Sequence, residues 1–161
     1  MKKIILVCIM AAIFSNACAN KPKGNLIYCS YAATGVAGLG KNFCELVADP
    51  GTDPKVLVVL NHDCHFAPER RAEYPACQAD VKDIQEKLEQ AEVYLLNGYY
   101  VDEAMTGGTI YRIYMEYDSG EKINAQWYGH DIKPEALAAY SLIKNWFTPW
   151  RSKLEELPEE F

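Results

Sequence analysis

Residues 109–128 alternate apolar and polar side chains along two stretches, broken at Asp118-Ser119-Gly120. Such alternation marks strands with one covered face, and a three-residue connection ending in glycine joins antiparallel neighbours. Pairing Tyr117 with Glu121 sets the register upstream. Met115 then meets Ile123, Ile113 meets Ala125 and Tyr111 meets Trp127 on one side. On the other side Glu116 meets Lys122, Tyr114 meets Asn124 and Arg112 meets Gln126. Apolar partners meet apolar ones and an acid meets a base, so one register satisfies both faces.

Upstream, strands are expected over residues 25–31, 42–48 and 55–60. Val56 to Leu60 is an unbroken apolar run, the pattern of a strand covered on both sides. Val81, Ile84, Leu88 and Ala91 recur at helical spacing and predict one amphipathic helix. Pro134 suits the first turn of a second helix, whose stripe is Leu137, Tyr140, Ile143 and Phe147. Pro149 closes that helix, and residues 151–161 read as a loose acidic tail. These elements predict an α+β fold: an antiparallel sheet of about five strands with two helices packed on one face. Nothing divides residues 24–150, which are expected to form one domain.

The amino-terminal pattern differs in kind. Lys2 and Lys3 precede the uncharged apolar run Ile4–Phe14, and small residues follow at Ala17 and Ala19. This is the build of a signal peptide over residues 1–19. Ala17-Cys18-Ala19 suits ordinary leader cleavage, whereas Ser15-Asn16-Ala17-Cys18 approximates a lipobox that would put a lipid on Cys18, with Ser15 where leucine is usual. Residues 20–24 would then serve as a short tether. The expected location is outside the cytoplasm, as a periplasmic or outer-membrane lipoprotein or a secreted protein.

Loss of the leader takes the formal charge from −6 to about −8. So acidic a chain lacks the clustered Lys and Arg that nucleic acid requires. In an oxidising compartment the four remaining cysteines, Cys29, Cys44, Cys64 and Cys77, are disulfide candidates. Cys29–Cys44 and Cys64–Cys77 are the pairs weighed, although four cysteines permit three pairings.

Other chemistry is sparse. Gly35 to Asn42 carries the glycines and lysine of a phosphate loop, but Asn42 replaces the magnesium-holding hydroxyl and a strand follows instead of a helix. His62, Cys64 and His65 form the densest cluster of metal-capable groups, with Cys77 and His130 as further ligands, which makes a metal-binding protein the alternative reading. Cys64 or Cys77 beside His130 would be needed for a nucleophilic cysteine, and no G-x-S-x-G sequence is present, so a hydrolase ranks third. No catalytic residue and no cofactor is assigned.

The chain holds 11 tyrosines and 3 tryptophans. Most fall on apolar stripes, but Arg112, Tyr114, Glu116, Asn124, Gln126 and Tyr128 share the polar side of the hairpin. Tyr, Asn, Gln and Arg together suit recognition of a peptide, glycan or envelope protein. The leading expectation is a non-enzymatic, exported binding module using that face or the Gly-rich loop. Tyr94-Leu95-Leu96-Asn97-Gly98-Tyr99, the hairpin around Asp118-Ser119-Gly120, and Trp127-Tyr128-Gly129 give residues 24–150 a pattern that resembles uncharacterised secreted or lipoprotein domains of Bacteroides-type bacteria. The resemblance implies an exported α+β domain and carries no activity.

Overall fold

Six strands pair into one antiparallel sheet in the computed structural model, which describes residues 20–35, 41–61, 69–101, 108–128 and 132–157. They are β1 (Leu26–Gly35), β2 (Lys41–Val47), β3 (Lys55–Asn61), β4 (Arg70–Pro75), β5 (Thr109–Tyr117) and β6 (Lys122–Tyr128). The first four form a meander, and the order across the sheet is β4-β3-β2-β1-β5-β6. Helix α1 (Gln78–Gln90) intervenes between the β4 edge and β5, which lies on the far side of β1. Helices α2 (Pro134–Trp146) and α3 (Thr148–Glu156) complete the chain order.

The hairpin register is as the alternation predicts: Tyr111 opposes Trp127, Ile113 opposes Ala125 and Met115 opposes Ile123. The Tyr117 N–H donates to the Glu121 carbonyl at 3.0 Å, closing the turn. Of α1's expected stripe, Val81, Ile84 and Leu88 are buried, while Ala91 caps the helix and is exposed.

All three helices lie on one side of the sheet. The core between the layers is built from Cys29 and Tyr31 of β1, Cys44 and Leu46 of β2, Val56, Val58 and Leu60 of β3, and Ile113, Met115 and Trp127 of the hairpin. A β-bulge between Leu26 and Tyr28 changes the alternation in β1. Leu26 and Cys29 thereby both face the core, and Tyr28 turns to the opposite side.

Several expectations are corrected. The sheet gains β4, whose Arg70, Ala72 and Tyr74 alternate with exposed Arg71, Glu73 and Pro75. The even residues of Val56–Leu60 face the core; Leu57 and Val59 lie on the opposite side, where no described helix packs, yet Val59 is buried there as well. On α2 the core-facing positions are Ala136, Ala139, Tyr140 and Ile143, and Leu137 is 52% exposed. Small alanines let the helix approach the sheet closely, and the larger leucine stays outside. Pro149 starts α3 instead of preceding a loose tail. Leu154 of α3 is buried, and Arg70 of β4 donates to the carbonyls of Leu154 and Leu157, where the helix dipole is negative.

Residues 20–25 are likewise no free tether. Lys21 pairs with Glu89 of α1 at 2.9 Å, and the Lys23 N–H donates to Glu121 at 2.5 Å. Asn25 donates to Asp118 from both its backbone and its side-chain nitrogen, each at 2.9 Å. Gly24, at φ +91°, passes so close that an added Cβ would fall 2.0 Å from Asp118 Oδ1. Among the described residues no helix is long and apolar enough to cross a membrane.

Candidate functional site

The uncovered side of the sheet is ruled by cross-strand rows that follow from the registers. One row runs Glu73, Leu57, Glu45, Ser30, Tyr114, Asn124. Its neighbour runs Arg71, Val59, Phe43, Ala32, Arg112, Gln126. On the flanks, Tyr28 opposes Glu116, which opposes Lys122, and Thr34 opposes Ile110, which opposes Tyr128. All six hairpin residues expected to recognise a partner, Arg112, Tyr114, Glu116, Asn124, Gln126 and Tyr128, therefore stand on one face, and no helix among the described residues lies on it.

A concave cleft of about 700 Å³ opens there over β1, β2, β5 and β6. Its floor is Ala32, Phe43 and Ile110; Ser30, Thr34, Arg112 and Asn124 supply polar groups around it. The rings of Tyr28 and Tyr114 meet edge to face at 5.8 Å and form one wall. Such a volume, with an apolar floor and a few placed polar groups, is in the range that takes a small organic ligand. Of the expected residues, Arg112, Tyr114 and Asn124 line the cleft, while Glu116, Gln126 and Tyr128 flank it. The β1 and β2 contributions were not anticipated from sequence. Tyr28, Ser30, Ala32 and Thr34 do alternate with Cys29, Tyr31 and Ala33, which was the available signal.

Hydrogen bonds fix the polar groups in place. Tyr28 donates to Glu45 at 2.5 Å. Burial first, and the Glu45 carboxylate second, push the Tyr28 phenol up from its usual value, so it stays protonated and a donor. Tyr114 donates to Glu116, as does Lys122 at 2.9 Å. These two bonds hold the Glu116 carboxyl below the usual carboxylate range. Arg112 donates from both Nε and Nη2 to the Gln126 side-chain oxygen, the Nε bond being 3.0 Å.

The β6 edge is itself braced. Asn97-Gly98 turns the chain, with Gly98 at φ +76°, so that residues 98–101 run beside β6 as a short parallel addition. Gly98 donates to the Asn124 carbonyl at 3.0 Å, Gln126 to the Tyr99 carbonyl at 2.9 Å, and Val101 to the Gln126 carbonyl at 3.1 Å. The backbone under Asn124 and Gln126 is thus bonded on both sides.

The cysteines lie elsewhere. Cys29 and Cys44 are buried on the helix-covered side and are free thiols. The register places Leu46 opposite Cys29 and Tyr31 opposite Cys44, so the two cysteines are diagonal neighbours. Diagonal Cβ atoms lie about 7 Å apart, whereas a disulfide holds them at about 3.8 Å. The Cys44 thiol instead contacts the Tyr31 oxygen at 3.5 Å. Cys77 is an exposed thiol at the start of α1, where its backbone N–H donates to Asp80 at 2.8 Å. Cys18, His62, Cys64, His65, His130 and the Gly-rich stretch after Gly35 lie outside the described residues, and with them the lipidation site, the second disulfide and the metal alternative. Among the described residues no three metal-capable side chains gather.

No protein-family model matches this chain, and no characterised protein is detectably similar to it in sequence. The geometry of the open face therefore carries the functional argument alone.

Proposed function

We propose that the protein is an exported, non-enzymatic binding module of the bacterial cell envelope, which takes a small ligand on the open face of its sheet. The observation that supports this most directly is the cleft over Ala32, Phe43 and Ile110, rimmed by Ser30 and by hydrogen-bonded Tyr28 and Arg112. The aromatic wall and the braced β6 edge preorganise this face, so little side-chain entropy is lost on binding. The nearby carboxylates are each engaged by a tyrosine, which argues for recognition in place of acid–base chemistry. The charged, apolar and small-residue succession of residues 1–19 supports export, with Cys18 as the lipid attachment point.

Two measurements test the reading. Intact mass of protein recovered from its native envelope gives the compartment: a diacylglyceryl adduct beginning at Cys18 supports a lipoprotein, a chain beginning at Asn20 supports a secreted form, and an uncleaved Met1 refutes export. The combined Tyr114→Ala, Gln126→Ala and Tyr128→Ala variant should fold with unchanged circular dichroism and bind the natural ligand at least about tenfold more weakly. Unchanged binding by the folded variant would remove this face from consideration.

A further inference from the structure

The open face holds several charged side chains, and two pairs of them are neutralised where they stand. Lys55 pairs with Glu73 at 3.1 Å, and Lys122 pairs with Glu116 at 2.9 Å. Glu45 accepts from the neutral Tyr28 hydroxyl and keeps its charge, and exposed Arg71 has no ion-pair partner among the described residues, but neither lines the cleft. Arg112 is the charged residue of the lining. Its only partner among the described residues is the Gln126 side-chain oxygen, a neutral acceptor. That contact orients the guanidinium without cancelling its charge, and the hydrogens on Nη1 meet no acceptor among the described residues. The planar fork of an arginine suits a carboxylate, sulfonate or phosphate oxygen pair.

What adjoins that charge is apolar. In the cleft Arg112 is followed along its own cross-strand row by Ala32 and Phe43, and Ile110 lies beside it in the floor; Val59 and exposed Arg71, further along the row, lie outside the lining. Strands are spaced about 4.8 Å apart, so the row from Arg112 to Phe43 spans about 10 Å. A fixed cation at one end and an apolar strip behind it match a molecule with the complementary division. Asn124, whose side-chain amide has no partner among the described residues, stands beside the cationic end as a second donor to the same headgroup.

We infer that the cleft binds an amphipathic organic anion, with its acidic head on Arg112 and its apolar body along Ala32, Phe43 and Ile110. This rests on the open-face reading above and narrows it to a ligand class. A neutral sugar would leave the Arg112 charge uncompensated, and a cation would be repelled by it.

A pair of fluorescent probes separates the claims. Anilinonaphthalene sulfonate and the uncharged phenylnaphthylamine share an aromatic body and differ in the acidic group. Titrated into the folded protein, the sulfonate should bind about tenfold more tightly than the neutral probe, the scale of a charge-assisted hydrogen bond. Arg112→Gln should abolish that preference, and Arg112→Lys should restore part of it. Ala32→Trp fills the floor and should remove both probes; Thr34→Trp, at the cleft's other end, serves if the first variant fails to fold. Preference for the sulfonate that survives Arg112→Gln overturns the anion assignment and leaves the cleft standing. Binding of both probes that survives the folded tryptophan variant overturns the cleft itself. No binding of either probe by the unaltered protein overturns the ligand class.

Discussion

Arg151 of α3 donates from Nη1 to the Tyr31 oxygen of β1 at 3.3 Å, joining positions 120 residues apart. The same oxygen receives the Cys44 thiol, and the Tyr31 ring packs on Tyr140 and Phe147 at 5.5 and 5.6 Å. The last helix is therefore part of the core's construction. Leu154→Ala should cost about 2–5 kcal/mol, as for a buried leucine, whereas Leu157→Ala, one turn on and half exposed, should stay within about 0.5 kcal/mol. Urea unfolding checks the pair. Equal, negligible effects would mean that α3 does not pack.

Thiol reactivity should divide cleanly. Burial pushes the Cys29 thiol up to about 12 and the Cys44 thiol up to about 11, and both side chains are inaccessible. Reagent attacks thiolate, so both are protected twice. In reduced, folded protein iodoacetamide should label Cys77 promptly and reach Cys29 and Cys44 only on unfolding, as peptide mapping would show. Prompt labelling of Cys44 would contradict the packing around Tyr31.

Glu116 offers a test by pH. Its carboxyl is held below the ordinary value of 4.5, first by the Tyr114 hydroxyl and then by Lys122. A carboxyl depressed in the folded state contributes stability above its unfolded pKa and loses that contribution as pH falls through the folded value. The Glu116 resonance should therefore titrate below pH 4.5 in an NMR series, with Tyr114→Phe raising its midpoint more than Lys122→Ala does. A midpoint unmoved by either change would show that the wall of the cleft is not so bonded.

Gly24 and Asp118 form a second clamp with a sharp steric signature. An alanine at position 24 would need a left-handed backbone and would place its Cβ against the Asp118 carboxylate. Gly24→Ala should cost about 1–3 kcal/mol, the scale of local backbone strain. Asp118→Ala should be milder and should expose Lys23 to trypsin. Resistance to trypsin in the folded Asp118→Ala variant would show that the segment is held by its other contacts alone.

Much of this architecture was legible in the chain. The β5–β6 register could be read because complementary pairs stood opposite one another on both faces at once. β4 was hidden because Arg70-Arg71-Ala72-Glu73 alternates only weakly and ends in a proline that reads as a loop. The far half of β1, Ala32-Ala33-Thr34-Gly35, has little strand propensity of its own; pairing with β2 and β5 makes it a strand. Pro149 is equally a helix stop and a helix start, and its neighbours Leu154 and Arg151 decide in favour of the start. For the same reason only half the cleft was visible. Arg112, Tyr114 and Asn124 followed from the hairpin, whereas the alternation that puts Tyr28 and Ser30 on this face begins only after a bulge that reverses the sense set by Leu26.

The docking of residues 21–25 bears on how the molecule would stand at a surface. If Cys18 carries a lipid, the slack between bilayer and folded body is about three residues, or about 10 Å of extended chain. The strand end bearing Asp118 and Glu121 would then be the foot, set against the headgroups, and the strands would rise from it as a palisade. The cleft on their side would look along the membrane, so its ligand would arrive laterally, through the space between envelope layers, and not up from the bilayer beneath.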